Sequence, residues 1–314
     1  MESKIINLTR INKILLCLIL LITKVSKNYS QEPVNVVTRR IEKEFIIQQK
    51  DHININAERG IIKIKGWTEK KVRVTLKIVA KNKELETARE EVQHMNYILT
   101  QNRNEIILKN FLLLPARKEY NEISSIIRAE YEIFIPVDMS ISIQNTFGSV
   151  SIRNLNSFIT ANLEYSDLTL QNTNTQLDLF INTGDFVCSH SDLNAKIETR
   201  YSQINFHEVK GDIKLIMMYG NINISLNKEL TVNLFADRTD IMLINRDCFD
   251  YNYIISGEYT SLRFQPDCYF KNWSLLNLSY KDDMSITPWT LHYLSSSVES
   301  KLKIEARFGT IYLN

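Results

Sequence analysis

The sequence has no apolar run long enough to cross a bilayer, little excess of either charge, no paired-cysteine motif and no histidines at metal-ligand spacing. Each absence removes a class of function. The longest apolar run, "ILLCLILLI" from Ile14 to Ile22, is nine residues, whereas a spanning helix needs about 20. Lys4, Arg10 and Lys13 precede it and polar residues resume at Thr23, the layout of a secretory signal peptide over residues 1–30, with cleavage near Ser30. Leu16 precedes Cys17 where a lipoprotein signal wants a small residue, which disfavours lipid anchoring. The formal net charge of +2 becomes −2 once residues 1–30 are removed. No basic stripe then remains for nucleic acid or an anionic membrane surface. The other cysteines, Cys188, Cys248 and Cys268, are odd in number and form no C-x-x-C pair, so zinc is unsupported and no cofactor motif stands out.

What the sequence does have is self-similarity. "TFGSVSI" (146–152), "EYSDLTL" (164–170), "NTGDFVC" (182–188), "RYSQINF" (200–206) and "MYGNINI" (218–224) are variants of one phrase. Their marker positions, Phe147, Tyr165, Thr183, Tyr201 and Tyr219, follow one another at a constant interval of 18. Looser copies put Arg238, Tyr259, Tyr280 and Phe308 at intervals of 19, 21, 21 and 28, which extra residues at the turns would explain. Apolar residues alternate with polar ones on both sides of the marker, a strand signature. Gly148, Gly184, Gly220 and Gly309 follow markers, as a tight corner requires. A two-strand unit of this length cannot bury its apolar face alone, but stacked units share one core. The expected fold is all-β: a parallel β-solenoid, a β-helix or β-roll with coils of about 18 residues, over 136–314. An antiparallel sandwich is the rival.

Residues 31–135 are expected to be a β-rich region capping the first end of the column. "ERGIIKIKG" (58–66) echoes the repeat, and "KELETAREEVQHMNYI" (83–98) has the apolar spacing of one amphipathic helix through Leu85, Ala88, Val92 and Met95. The chain stops on a repeat strand, "FGTIYLN", which predicts an exposed edge at the far end of the column unless a loop from 286–300 blunts it.

The signal peptide, "NAERGIIKIKGW" (56–67) and the repeated aromatic-Gly-polar-Ile phrases together resemble the DUF4097-like adhesin families of Bacteroidetes envelope proteins. The resemblance spans most of residues 40–314 and implies a β-solenoid envelope or surface protein with no catalytic motif. Thr183 and Arg238 depart from the pattern because the aromatic marker is missing.

Candidate sites are few. The markers Phe147, Tyr165, Tyr201, Tyr219, Tyr259, Tyr280 and Phe308 form either an outward stacking surface for sugar rings or a ladder inside the column. Strict alternation favours the inside. Asp167, Asp185, Asp240 and Asp282/Asp283 follow corners, where turn geometry selects Asp; Ser149, Gln203 and Asn221 break the row, so neither a carboxylate pair for glycan cleavage nor a calcium site is expected. His190 and His207 sit at different offsets and read as surface residues. Cys188 reads as a small buried hydrophobe. Cys248 and Cys268, at a spacing of 20 where the local period is 21, are placed to form a disulfide in an oxidising compartment. The resulting expectation is an exported, non-enzymatic adhesin-like or scaffold protein in the periplasm, on the outer membrane or outside the cell, engaging a protein or glycan and having no transmembrane span after cleavage. The alternative is a carbohydrate-binding or carbohydrate-cleaving protein on the same scaffold.

Overall fold

The computed structural model describes residues 34–48, 51–113, 123–244, 251–264, 274–276, 288–293 and 300–313. The expected signal segment, Cys248, Cys268, Tyr280, Asp282 and Asp283 lie outside these described residues, as does most of the 286–300 loop. Within them the chain is all-β with one short α-helix. Its strands form an open 16-stranded sheet of mixed sense.

The first strands are β1 (Asn35–Ile46), β2 (His52–Glu58), β3 (Gly60–Trp67) and β4 (Lys71–Asn82), followed by α1 (Leu85–Glu91), β5 (Met95–Asn102), β6 (Glu105–Leu112) and β7 (Ile126–Pro136). The middle comprises β8 (Ile141–Arg153), β9 (Phe158–Gln171), β10 (Asn174–Asn182), β11 (Phe186–Ser225) and β12 (Leu230–Ile244). The last are β13 (Asn252–Phe264), β14 (Ser274–Leu276), β15 (Trp289–Tyr293) and β16 (Lys301–Leu313). Parallel pairing runs through the middle. Antiparallel pairs, β1–β4, β4–β7 and β5–β6 at one end and β13–β15 and β14–β15 at the other, make the sheet mixed and not purely parallel.

In the middle the repeat becomes register. Ile141 pairs with Ile159, Leu177 with both Ile159 and Ala195, and Phe186 with Leu168, each an offset of 18. Between β11 and β12 the offset is 19, Ile213 against Val232. Equivalent side chains therefore stack on one another. Val150, Leu168, Phe186, Ile204, Ile222 and Ile241 form one buried row, so burial follows from position in the coil. An apolar side chain fully buried in this way is worth roughly 1.5–3 kcal/mol.

The early echo of the repeat is a rung of the same stack. β2 and β3 both lie along β8, with Ile53 against Ile141 and Ile64 against Ile152, so Arg59 turns the corner beside Phe147. The helix is shorter than the sequence predicts. It ends at Glu91, a 3-10 turn covers Val92–His94, and Met95 already opens β5. Ala88, Val92 and Met95 are buried as expected, but pairing of Met95 with Leu112 pulls the chain out of helix.

The far end differs more. β16 does not terminate the column: it lies between β12 and β13, with Leu234 against Ile304 on one side and Ile255 against Ile304 on the other. The chain's last strand thus has both long edges paired. The loosened period reflects this insertion, since Phe308 is the rung next to Arg238 and Tyr259 the rung beyond it.

Candidate functional site

Each coil turns where one residue adopts positive φ. Phe147 (59°), Tyr165 (49°), Thr183 (63°), Tyr201 (53°), Tyr219 (60°), Arg238 (49°), Tyr259 (50°) and Phe308 (51°) are all left-handed, as is Arg59 (54°). This conformation is uncommon for residues with a Cβ and costs of order 1–3 kcal/mol each. Backbone pairing and side-chain contacts around the corner offset it. Thr183 N–H donates to Arg200 O at 2.9 Å and Ser166 N–H to Thr183 O at 3.1 Å. The hydroxyls of Ser202, Thr239 and Thr260 donate across the corner to the carbonyl two residues before, each at 3.0 Å.

The same kink corrects the inward-ladder expectation. Strict alternation would carry Leu163 and Tyr165 to the same face. The left-handed residue breaks the alternation, so Leu163 is buried, Glu164 and Tyr165 both face out, and Ser166 turns in. The markers are exposed: Phe147 by 55%, Tyr165 by 54% and Tyr201 by 59%. The inward position after the marker is restricted to small residues. A Cβ on Gly220 would lie 1.9 Å from Ser202 O in the neighbouring rung.

Outside the column the rings stack on each other. Phe147 and Tyr165 have centroids 5.0 Å apart and planes within 11°. Tyr201 and Tyr219 are 4.9 Å apart at 12°, and Tyr259 and Phe308 5.0 Å apart at 3°. The Arg238 guanidinium bridges two pairs, lying 5.2 Å from the Tyr219 ring and 5.5 Å from that of Phe308. In spatial order the row reads Phe147, Tyr165, Thr183, Tyr201, Tyr219, Arg238, Phe308, Tyr259. Its one break is Thr183. Tyr165 and Tyr201 are two rungs apart, about 9.6 Å at the usual strand spacing, which leaves room for one flat ring between them.

The corner aspartates act structurally. Asp167 Oδ1 accepts the backbone N–H of Asp185 at 2.9 Å, Asp185 Oδ1 that of Gln203 at 3.2 Å, and Asp240 Oδ1 that of Thr310 at 2.8 Å. Each carboxylate is thus committed to the next rung. Cys188 is buried among the stacked residues and burial pushes its thiol up to about 12. That makes it inert toward nucleophilic chemistry at neutral pH.

A second corner row was not anticipated from the sequence. Asn154, Asn172, His190 and Glu208 are also left-handed, at φ of 55°, 53°, 50° and 51°, again one period apart. An open groove beside it is lined by Leu155, Asn172, Thr173, His190, Asp192 and Lys210. The structure brings His190, His207 and Glu208 together. The signal is in the sequence, since Glu208 is His190 plus one period of 18, whereas His207 sits one residue short of it.

An open β-stack with two left-handed corner rows is the class of molecule defined here. The chain belongs to the Toastrack DUF4097 family, whose model matches residues 50–274. It is similar in structure to a putative cell adhesion protein from Clostridium sporogenes ATCC 15579 (11% identity, 87% of this chain and 98% of that chain, TM-score 0.24). A putative adhesin from Bacteroides fragilis NCTC 9343 is also similar (12% identity, 87% and 96%, TM-score 0.45). So is a putative lipid binding protein from Parabacteroides distasonis ATCC 8503 (10% identity, 67% and 90%, TM-score 0.30). No curated protein matches the sequence. Among the described residues no helix is long and apolar enough to cross a membrane.

Proposed function

We propose that this chain is an exported, non-enzymatic, adhesin-like envelope protein that binds glycan through the aromatic corner row. In this reading residues 1–30 direct export to the periplasm, outer-membrane surface or exterior. Residues 31–135 cap the first end and supply the rung β2–β3, and 136–314 form the solenoid column on the same repeat. The observation that carries the reading is the outward row with its one-ring gap at Thr183. Tyrosine faces offer an apolar surface with a polar tip, which suits a pyranose ring. The exposed polar neighbours Glu164, Asp185, Arg200 and Gln203 flank the gap and suit its hydroxyls. The corner carboxylates bond the backbone, so binding without cleavage is expected.

The test is a glycan array probed with the exported chain, its Tyr201→Ala variant and its Thr183→Tyr variant, which fills the gap. Wild type retains a subset of glycans, and both variants lose at least tenfold in affinity. Unchanged binding by Thr183→Tyr, or no glycan retained by wild type, rejects the proposal. Release of reducing ends from a retained glycan would reject the non-enzymatic assignment.

A further inference from the structure

We propose that His190, His207 and Glu208 form a site for one divalent transition-metal ion of the zinc class, on the second corner row and separate from the aromatic row. The donors already converge. His190 Nε2 lies 2.9 Å from Glu208 Oε2, His207 Nε2 lies 3.9 Å from Glu208 Oε1, and all three ligand atoms fall within 4.8 Å of one another. Zinc binds imidazole nitrogen at about 2.0–2.1 Å and carboxylate oxygen at about 2.0–2.2 Å, which sets neighbouring tetrahedral donors about 3.3 Å apart. The observed separations bracket that value. The side chains are exposed by 50%, 62% and 63%, so the small rotations that equalise them are not opposed by burial.

The backbone holds the donors in place. His190 and Glu208 occupy successive left-handed corners, and both lie within the long strand β11, so the two Cα–Cβ directions are fixed by the same geometry one rung apart. His207 directly precedes the second corner and its ring packs edge-on against His190 at 5.6 Å and 80°. Lys210 is paired with Glu229 at 2.7 Å, which leaves the Glu208 carboxylate to the two imidazoles. Two imidazoles and a carboxylate select zinc-like ions over calcium or magnesium, which take oxygen ligands. His190 Nε2 faces Glu208 Oε2 at 2.9 Å, the separation of a hydrogen bond from an Nε2–H. A metal-bound Nε2 carries no proton, so the ring binds in the form that holds its proton on Nδ1, the exchange passing through solvent water. Three protein donors leave a fourth position for water or for a donor from a bound molecule.

The test is calorimetric titration of the full chain with zinc chloride in a Cys17→Ser/Cys248→Ser/Cys268→Ser background, which leaves the buried Cys188 as the one remaining cysteine. One ion binds per chain. His190→Ala and Glu208→Gln each weaken binding at least tenfold while keeping the metal-free thermal midpoint of the parent, and His52→Ala binds as the parent does. Zinc-edge absorption shows a nitrogen and oxygen shell with imidazole scattering. Absence of one-to-one binding in this background, affinity unaltered in both His190→Ala and Glu208→Gln, or a shell without imidazole overturns the site.

Discussion

Thr183 is the one rung in the central repeat where the corner carries neither a ring nor a guanidinium, and replacing it with tyrosine is expected to stabilise the protein. The position accepts tyrosine because Tyr165 and Tyr201, one rung to either side, already hold the same left-handed backbone at φ of 49° and 53°. Threonine is a poor occupant, since a β-branched residue at positive φ is strained. A ring at 183 would contact both neighbours at the 4.9–5.0 Å of the existing stacks. An aromatic pair contributes about 0.5–1.5 kcal/mol beyond area burial, so two pairs give about 1–3 kcal/mol, with exposure favouring the lower half. That corresponds to a rise in midpoint of about 2–6 °C for a domain of this size. Urea unfolding and calorimetry should compare wild type, Thr183→Tyr and Thr183→Ala. The alanine variant relieves the β-branch without adding a ring, so the difference between the two variants isolates the stack. If Thr183→Tyr is no more stable than Thr183→Ala, the rings do not contribute to the column and their stacking is incidental.

Other perturbations probe the core and the remaining corners. Gly220→Ala places a Cβ 1.9 Å from Ser202 O and is expected to cost about 3 kcal/mol, read as a lowered urea midpoint. Arg238→Ala removes two exposed cation–π contacts and should cost about 1–2 kcal/mol, with Arg238→Lys intermediate in the same assay. Burial raises the Cys188 thiol from 9.0 to about 12. Between those values the unfolded chain gives up a proton that the folded chain keeps, so stability is full below pH 9 and declines as pH rises, by about 1.4 kcal/mol per unit from this group. Tyr131, also raised by burial, adds to the decline above pH 10. Cys188→Ala should make the stability profile from pH 8 to 11 shallower, and a slope equal to wild type would contradict the burial argument.

The central stack was legible because pairing at an offset of 18 puts residue i beside i+18. Leu168 and Phe186 therefore experience one environment, and selection for that environment leaves a periodic trace. The side on which the markers lie was not legible from alternation alone. Alternation assumes extended backbone throughout, and one left-handed residue shifts its phase. The small residues after the markers, Ser166 and Gly184 among them, carried the missing signal, because a position too close to the neighbouring rung for a large side chain is the inward one. The order of the last rungs was illegible for a different reason. Local spacing reports which segments are rungs, whereas the insertion of β16 between β12 and β13 pairs segments that lie far apart in the chain. The helix was placed but overextended, since the amphipathic spacing through Met95 serves strand β5 equally well.

Rung order also bears on which surface is available for recognition. A column with an open strand edge would grow by pairing with other chains, and its ends would compete with its flanks as contact surfaces. Here one outer strand, β1, carries charged residues at Arg39, Arg40, Glu42, Lys43 and Glu44, which disfavours the close approach of another strand. At the other end β15 pairs antiparallel with Tyr253–Gly257, and Trp289 donates its Nε1–H to Thr260 O at 2.9 Å, covering the first half of β13. The Trp289 ring occupies the space above Gly257, where a Cβ would meet it at 2.3 Å, so glycine at 257 is what allows this cover to seat. With β16 paired on both sides, β1 charged and the first half of β13 covered, the features repeated along the flanks are the two corner rows. One is aromatic with a ring-sized gap, and the other carries converging imidazoles and a carboxylate. Along the aromatic row every described rung turns through a left-handed residue, and along the second row Asn154, Asn172, His190 and Glu208 do so. The constraint that closes the coil is therefore also the one that presents a chemically variable position at every rung.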